Sequence, residues 1–190
     1  MNTYKIAAIP ADGIGPEVIA AGLQALESLE RREGTFRLDV TQFDWGSAYY
    51  KANGRMMPDD GIETLKAYDA VFFGAVGAPD VPDHITLWGL RLPICQGFDQ
   101  YANVRPTRIL PGIVSPLAGV GPGDLDWVIV RENSEGEYSG HGGRAHKGLP
   151  EEVGTEVAIF TRVGVTRIMR YAFRPVSYTH LRAHETGRNL

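Results

Sequence analysis

A cation and a phenol stand at the two ends of one short stretch of the sequence. Arg131 follows the apolar run Trp127–Val130, and Tyr138 lies seven residues after Arg131. An arginine can grip a carboxylate or phosphate through two parallel hydrogen bonds, and a tyrosine can supply a proton. The same residues would also suit a strand end, followed by a solvated acidic turn with a packing tyrosine.

The elements around these residues predict an α/β fold. The run Trp127–Val130 is long enough for a buried strand, and ligand-binding groups in α/β sheets lie outside the carboxyl ends of strands. Tyr4–Pro10 predicts a buried first strand, and Pro16 suits the start of a helix that ends near Arg32, before Gly34. Strands and helices alternate from there to residue 77, which predicts βαβ units and a largely parallel sheet. These later elements are strands at 35–44 and 70–73 and helices at 47–53 and from 58 to about 68.

The loop after the first strand resembles a dinucleotide fingerprint only in part. Gly13 and Gly15 match two of its glycines, but Val18 stands where the third would be, so a standard Gly-x-Gly-x-x-Gly Rossmann site is excluded. The N-terminal amides of the following helix could still hold an anion, and a plain βα turn explains the loop equally well.

The remaining chain predicts fewer regular elements. Residues 141–144 and 148–150 suit the tip of a protruding hairpin, and Pro175 is expected to stop the last helix. The other predictions are a helix near 85–92, an extended segment at 101–108, a loop at 111–123, a strand at 155–160 and an amphipathic helix from 165 to 173.

Composition narrows the class of protein. Of the 190 residues, 43% are hydrophobic, which is typical of a globular domain. The net charge of −4 gives no basic surface of the kind that binds nucleic acid. Cys95 is the one cysteine, which suits a reducing compartment. The sequence shows no signal peptide and no run of membrane-spanning length, so a cytoplasmic protein is expected.

Four segments carry a resemblance to a known family. They are residues 12–17 (Asp-Gly-Ile-Gly-Pro-Glu), 101–106 (Tyr-Ala-Asn-Val-Arg-Pro), 131–138 (Arg-Glu-Asn-Ser-Glu-Gly-Glu-Tyr) and 160–173 (Phe-Thr-Arg…Arg-Ile-Met-Arg-Tyr-Ala-Phe). With these segments in this order, the chain resembles the metal-dependent β-decarboxylating dehydrogenases, which include the isocitrate, isopropylmalate and tartrate or D-malate dehydrogenases. Residues 82–89 and 98–101 look like the tartrate and D-malate branch.

The resemblance implies a fold, a reaction and a set of site residues. The fold would be the two-domain isopropylmalate-dehydrogenase-like fold of a homodimer. The reaction would be oxidation, with decarboxylation, of a small 2-hydroxy dicarboxylate by NAD with Mn²⁺ or Mg²⁺, and a monovalent cation such as K⁺ would be an additional cofactor. By resemblance, Arg105 and Arg131 bind substrate carboxylates, Tyr138 donates a proton to the enolate, and Gly13 and Ile14 contact the cofactor. Taken without the resemblance, a surface strand arginine is the favoured interpretation of Arg105.

The sequence departs from the family in its substrate arginines. Cys95 stands where the family usually has an arginine, and Arg91, one helical turn earlier, could bring its head group to a similar place. This departure favours the small diacids tartrate and D-malate over isocitrate and isopropylmalate. The alternatives are an isopropylmalate or isocitrate dehydrogenase and a non-catalytic, truncated anion-binding domain.

The resemblance covers the N-terminal half of the family and ends near residue 174. Residues 1–98 are expected to begin the large domain, 99–174 the second domain with a dimer arm near 136–155, and 175–190 to be an artefactual tail. The metal-binding aspartates and the catalytic lysine would then lie beyond this sequence, and the 190 residues alone would be inactive. His180 and His184 stand four apart, but without a third ligand the tail predicts no metal site.

Overall fold

A three-stranded parallel sheet forms the centre of the first half of the chain. The computed structural model describes residues 1–179 and divides the chain into two units, Met1–Gly97 and a second that begins at Phe98. In the first unit, the strands are arranged in the order β2-β1-β3, all parallel. Their bounds are β1 Asn2–Ala11, β2 Phe36–Gln42 and β3 Ala70–Ala75. The predicted α/β class with a parallel sheet is confirmed.

Buried small residues let helix α1 approach this sheet. Ala7, Ala8 and Ile9 of β1 are completely buried, as predicted for the first strand. Helix α1 (Gly15–Glu33) starts with a proline in its first turn and ends at Gly34, whose φ of 62° is left-handed. A Cβ on Gly15 would lie 1.9 Å from the carbonyl oxygen of Pro10, so only glycine fits where the helix meets the strand.

Two short helices and an interrupted helix complete the first unit. Helix α2 (Ser47–Asn53) has the predicted bounds and ends at a left-handed Gly54, and α3 spans Gly61–Leu65. The helix predicted near residues 85–92 is instead three pieces, α4 (Asp83–Thr86), a π-helical turn (Leu87–Arg91) and α5 (Leu92–Gly97).

Pro93 gives a physical reason for the π-helical turn. The N–H of Leu92 donates to the carbonyl oxygen of Leu87, five residues earlier. A proline inside an α-helix has no N–H to donate and clashes with the carbonyl four residues before it, here that of Gly89. The wider π turn relieves that clash.

Residues 98–179 of the second unit form two antiparallel strand pairs and one helix. Strand β4 (Ala102–Arg108) pairs with β5 (Asp126–Glu132), and β6 (Gly136–Ala145) pairs with β7 (Val153–Ile159). The predicted hairpin is present, but its residues 141–144 lie within β6, and the tip is formed by residues 146–152.

Two expectations about this unit are wrong. Strand β5 is not buried: Trp127 is 52% exposed and Val128 and Ile129 are each 45% exposed. Within residues 1–179, β5 pairs only with β4, so its apolar side chains are less buried than the composition of the run predicts. Pro175 does not stop helix α6, which runs from Arg162 to Thr179, because an internal proline removes one backbone hydrogen bond without forcing the helix to end.

None of the helices within residues 1–179 combines the length and apolarity needed to cross a membrane.

Candidate functional site

Arg131 and Tyr138 lie against each other at the junction of β5 and β6. The guanidinium carbon of Arg131 is 5.0 Å from the centroid of the Tyr138 ring, within the range of a cation–π contact. Both residues are half-buried. The two residues that the sequence marks for chemistry are therefore neighbours in space as well as in the chain.

A tight turn between the two strands produces this contact. The Glu132 carboxylate accepts hydrogen bonds from the N–H of Ser134 at 2.9 Å, the hydroxyl of Ser134 at 2.6 Å and the N–H of Glu135 at 2.6 Å. Gly136 then turns the chain with a φ of 68°, and the N–H of Tyr138 donates to the carbonyl of Glu135 at 3.3 Å. The turn therefore sets the distance between Arg131 and Tyr138.

The same contacts affect the ionisation of Glu132. Burial of the carboxyl opposes ionisation, but hydrogen bonds from the Ser134 hydroxyl and from adjacent backbone N–H groups outweigh it and lower the pKa of Glu132. The carboxylate that organises the turn is thus held in its charged form.

Arg105 lies on the same face of the β4–β5 pair as Arg131. Asn103 is the direct cross-strand partner of Arg131, and Arg105 is the partner of Ile129. Directly opposed residues share a face, as do residues two apart on one strand, and diagonal neighbours lie about 7–8 Å apart. Arg105 is exposed, so its long side chain can reach toward the Arg131–Tyr138 contact. We call Arg105, Arg131 and Tyr138 the arginine–tyrosine site.

Buried Asn133 anchors the end of β5 next to this site. Its side chain is 4% exposed and donates from Nδ2 to the carbonyl of Gln100 at 3.0 Å. Its backbone N–H donates to the carbonyl of Tyr101 at 2.9 Å. These two bonds fix the start of β4 against the end of β5, and thereby the register that brings Arg105 near Arg131.

In the first unit, Asp12 joins three loops at the carboxyl end of the sheet. Its buried carboxylate accepts bonds from the N–H of Ser47 at 2.8 Å, the Ser47 hydroxyl at 2.7 Å and the N–H of Gly77 at 3.0 Å. Gly77 follows β3, and Ser47 opens α2. Strand β1 lies between β2 and β3, so the chain crosses to one side of β1 to form β2 and then to the other side to form β3. Open α/β sheets bind ligands at such a switch point, outside the carboxyl ends of the strands.

Gly13 and Ile14 form the exposed part of this loop. Gly13 has a φ of 56°, and a Cβ there would meet no atom nearer than the Gly77 carbonyl oxygen at 4.0 Å. Ile14 is 57% exposed and caps the N-terminus of α1, whose dipole favours an anion. The geometry fits an anionic cofactor group held by backbone. The contacts predicted for Gly13 and Ile14 remain predictions.

Arg91 ends the π-helical turn in the first unit, whereas the arginine–tyrosine site is in the second. Arg91 and Cys95 are both half-buried, while Leu90, Leu92 and Ile94 are buried. Arg91 and Cys95 are four residues apart, at the junction of the π-helical turn and α5. The substrate role of Arg91 remains a prediction.

Metal ligation has no candidate in the described part of the chain: residues 1–179 contain no group of three His, Cys, Asp or Glu side chains placed to hold an ion. His180 and His184 lie outside the described residues.

Several residues of these sites carry no individual signal in the sequence. The contacts of Asp12 span 35 and 65 residues, a separation that a local pattern does not reveal. The bonds of Glu132 are local, and a polar side chain that bonds backbone N–H groups two or three residues later is a recognisable turn feature. That feature could have identified Glu132 and Ser134 as the residues that shape the turn.

The chain has close counterparts among known proteins. The family profile described as isocitrate/isopropylmalate dehydrogenase matches residues 5–182. A "Probable tartrate dehydrogenase/decarboxylase" of Agrobacterium vitis is 83% identical over 174 residues, which are 92% of this chain and 49% of that protein. The "D-malate dehydrogenase [decarboxylating]" of Escherichia coli strain K12 is 54% identical over 175 residues, 91% of this chain and 48% of that protein.

A solved structure agrees with these matches. The crystal structure of isocitrate dehydrogenase from Methylococcus capsulatus aligns with a TM-score of 0.73 at 28% identity, covering 93% of this chain and 48% of that one. The chain thus spans about half the length of the curated relatives that it matches.

Proposed function

Because the chain belongs to the isocitrate/isopropylmalate dehydrogenase family, we propose that it supplies the substrate arginines and proton donor of a decarboxylating dehydrogenase. The substrate would be a small 2-hydroxy dicarboxylate, tartrate or D-malate, and the oxidant NAD. Relatives named tartrate dehydrogenase/decarboxylase and D-malate dehydrogenase, at 83% and 54% identity, support this substrate class.

The observation that carries the proposal is the contact between Arg131 and Tyr138, with Arg105 on the same face of the β4–β5 pair. A dicarboxylate needs fixed cations, and guanidinium groups bind carboxylates in two-point fashion. A chain with a net charge of −4 needs such local cations to attract an anion. A phenol next to those cations is placed to act on the same substrate.

Each of these side chains has a distinct task in the proposed reaction. Arg105 and Arg131 hold the substrate carboxylates and so fix the orientation of the carbon that loses hydride. After CO₂ leaves, the Tyr138 hydroxyl gives its proton to the carbon of the enolate that has lost the carboxylate. A divalent metal such as Mn²⁺ or Mg²⁺, when bound, would act as a Lewis acid that stabilises negative charge on the substrate oxygen.

We further propose that Gly13 and Ile14 contact NAD and that Arg91 contacts the substrate. The support for the loop is its exposure at the N-terminus of α1, at the carboxyl end of the sheet. The support for Arg91 is that it is half-buried and lies four residues before Cys95, the position where the family usually has arginine. A homodimer is the proposed state of the protein of family length.

A chimera provides the test of this function. The segment of this chain that matches the A. vitis relative would replace the corresponding half of that relative, and NADH formation would be measured with the tartrate isomers, D-malate, isopropylmalate and isocitrate. We expect divalent-metal-dependent NADH formation with tartrate or D-malate, and release of CO₂ from at least one of them. The unaltered relative is the positive control, and the 190-residue chain alone tests the expectation that it is inactive.

The same assay separates the alternatives. Turnover of isopropylmalate or isocitrate in preference to the smaller diacids would support a dehydrogenase of another branch, which the isocitrate dehydrogenase fold match keeps as the second candidate. No turnover by a folded chimera, together with binding of the diacids, would support a non-catalytic anion-binding domain instead.

A further inference from the structure

A row of polar contacts connects helix α6 to the turn between Arg131 and Tyr138. Arg167 of α6 donates from Nη2 to the hydroxyl oxygen of Ser134 at 2.7 Å. That hydroxyl donates its own proton to Oε1 of Glu132 at 2.6 Å. Because Glu132 binds the N–H groups of the turn, a cation on α6 reaches the backbone of the arginine–tyrosine site through two side chains.

Arg167 is itself held from a second direction. Its Nη1 donates to both carboxylate oxygens of Asp99, at 2.9 and 3.1 Å, and its guanidinium carbon lies 4.6 Å from the centroid of the Tyr101 ring. The side chain is 27% exposed. The planar guanidinium thus spans two partners at a fixed angle while resting on an aromatic ring, which a lysine ammonium could not reproduce.

The direction of the Ser134 proton depends on Arg167. A hydroxyl has one proton to give and can accept at its lone pairs. With Arg167 donating to it, the oxygen of Ser134 accepts from one side and directs its proton toward Glu132 on the other. Without Arg167, the hydroxyl can turn to other acceptors, and the turn loses one of the three bonds that hold Glu132 in place.

We propose that Arg167 is a positioning residue: through Ser134 and Glu132, it holds the turn that keeps the Tyr138 ring against the Arg131 guanidinium. The contact is a property of the 190-residue chain, whereas the catalytic consequence rests on the proposed function.

The structural part is tested by NMR on the 190-residue chain. The ring current of Tyr138 should shift the side-chain protons of Arg131, and Tyr138→Leu defines the value without it. We expect Arg167→Met to move these protons most of the way to the Tyr138→Leu value. Arg170→Met, which removes the same charge from an exposed position on the same helix, should leave them unchanged.

Two further variants cover the possibility that Arg167→Met does not fold. Ser134→Ala breaks the same connection by removing a single oxygen and should also weaken the ring-current shift. Arg167→Lys keeps the positive charge but loses the planar guanidinium with its paired donors, and this variant should retain only part of the ring-current shift. An unchanged shift in a folded Arg167→Met, or in Ser134→Ala if the former does not fold, would overturn the proposal.

The catalytic part is tested in the chimera described above. Arg167→Met should lower kcat roughly ten- to hundred-fold, as expected for a displacement of about 1 Å in a reacting group, with a much smaller change in KM. In the Tyr138→Phe background, the same substitution should add almost no further loss, because both act on one proton transfer. A merely structural role predicts additive losses, and additivity would overturn the proposal.

The two measurements distinguish this inference from the proposed function. A chimera that shows no dehydrogenase activity in any form contradicts the proposed function, while the NMR result still decides whether Arg167 positions the pair. An active chimera with an unperturbed Arg131–Tyr138 contact in the Arg167 variant contradicts only the inference.

Discussion

The guanidinium carbon of Arg131 lies 5.0 Å from the centroid of the Tyr138 ring, across a turn held by one carboxylate. In the proposed reaction, this relationship would place the carboxylate-binding group and the proton donor within one substrate length of each other. It also makes both residues sensitive to the turn that separates them.

Replacement of the Tyr138 hydroxyl should affect chemistry more than binding. In the chimera with the A. vitis relative, Tyr138→Phe is expected to lower kcat for decarboxylation by about 10²- to 10⁴-fold, the usual contribution of a positioned general acid. The ring remains against Arg131, so KM should change little. Steady-state kinetics measure both parameters, with Tyr4→Phe as the control. Unchanged turnover would remove Tyr138 from the reaction.

The two exposed arginines of β4 should differ in their effect on substrate binding. Arg105→Gln is expected to raise KM for D-malate or tartrate roughly ten- to hundred-fold, the loss of one charge-assisted hydrogen bond. Arg108, three residues later, lies on the other face of the strand and is paired with Asp126 at 2.7 Å. Arg108→Gln is therefore the matched control and should leave KM unchanged. Equal effects of the two substitutions would argue for a general surface-charge effect instead.

Asp12 should be essential for the stability of the first unit. Asp12→Ala leaves the buried N–H of Ser47 and the half-buried N–H of Gly77 without their acceptor, at an expected cost of about 2–4 kcal/mol. Native-state hydrogen exchange at Ala7 and Ala8, in the buried strand, reports the free energy of opening. The exposed Asp39→Ala serves as the control. Equal exchange in the two variants would mean that the Asp12 network contributes no net stability.

The turn that holds the arginine–tyrosine site should weaken in acid. The pKa of Glu132 is lower in the folded chain than its ordinary value of 4.5, so its contribution to stability is complete above about pH 4.5 and is lost as the pH falls through the lowered value. Glu132→Gln should therefore be less stable than the wild type at neutral pH, and the difference should shrink as the pH falls below 4.5. Urea unfolding over this range measures it, with the exposed Glu137→Gln as the control. A difference that stays constant with pH would show that the Glu132 charge contributes nothing.

Local signals in the sequence predicted the elements well. Gly34 and Gly54 end helices at left-handed positions, and the apolar start of the chain became the buried central strand. Such features depend on residues within one or two turns of one another. The pairing of Arg131 with Tyr138 belongs to the same class, because the two residues are seven apart in sequence and the turn at residues 133–135 brings them together.

Features that depend on distant partners could not be read from the sequence. An apolar run such as Trp127–Val130 indicates a strand but does not tell what covers it, and within residues 1–179 it is largely exposed. The acceptor role of Asp12 depends on residues 35 and 65 positions away. The contact of Arg167 with Ser134 likewise joins a helix to a turn 33 residues earlier.

The most direct test of the central claim is a crystal structure of the chimera with D-malate bound and NAD omitted, so that no turnover occurs. If the arginine–tyrosine site binds the substrate, carboxylate oxygens should lie about 2.7–2.9 Å from guanidinium nitrogens of Arg105 and Arg131, with the Tyr138 hydroxyl next to the same molecule. A diacid bound elsewhere, or one that contacts neither arginine, would contradict the account.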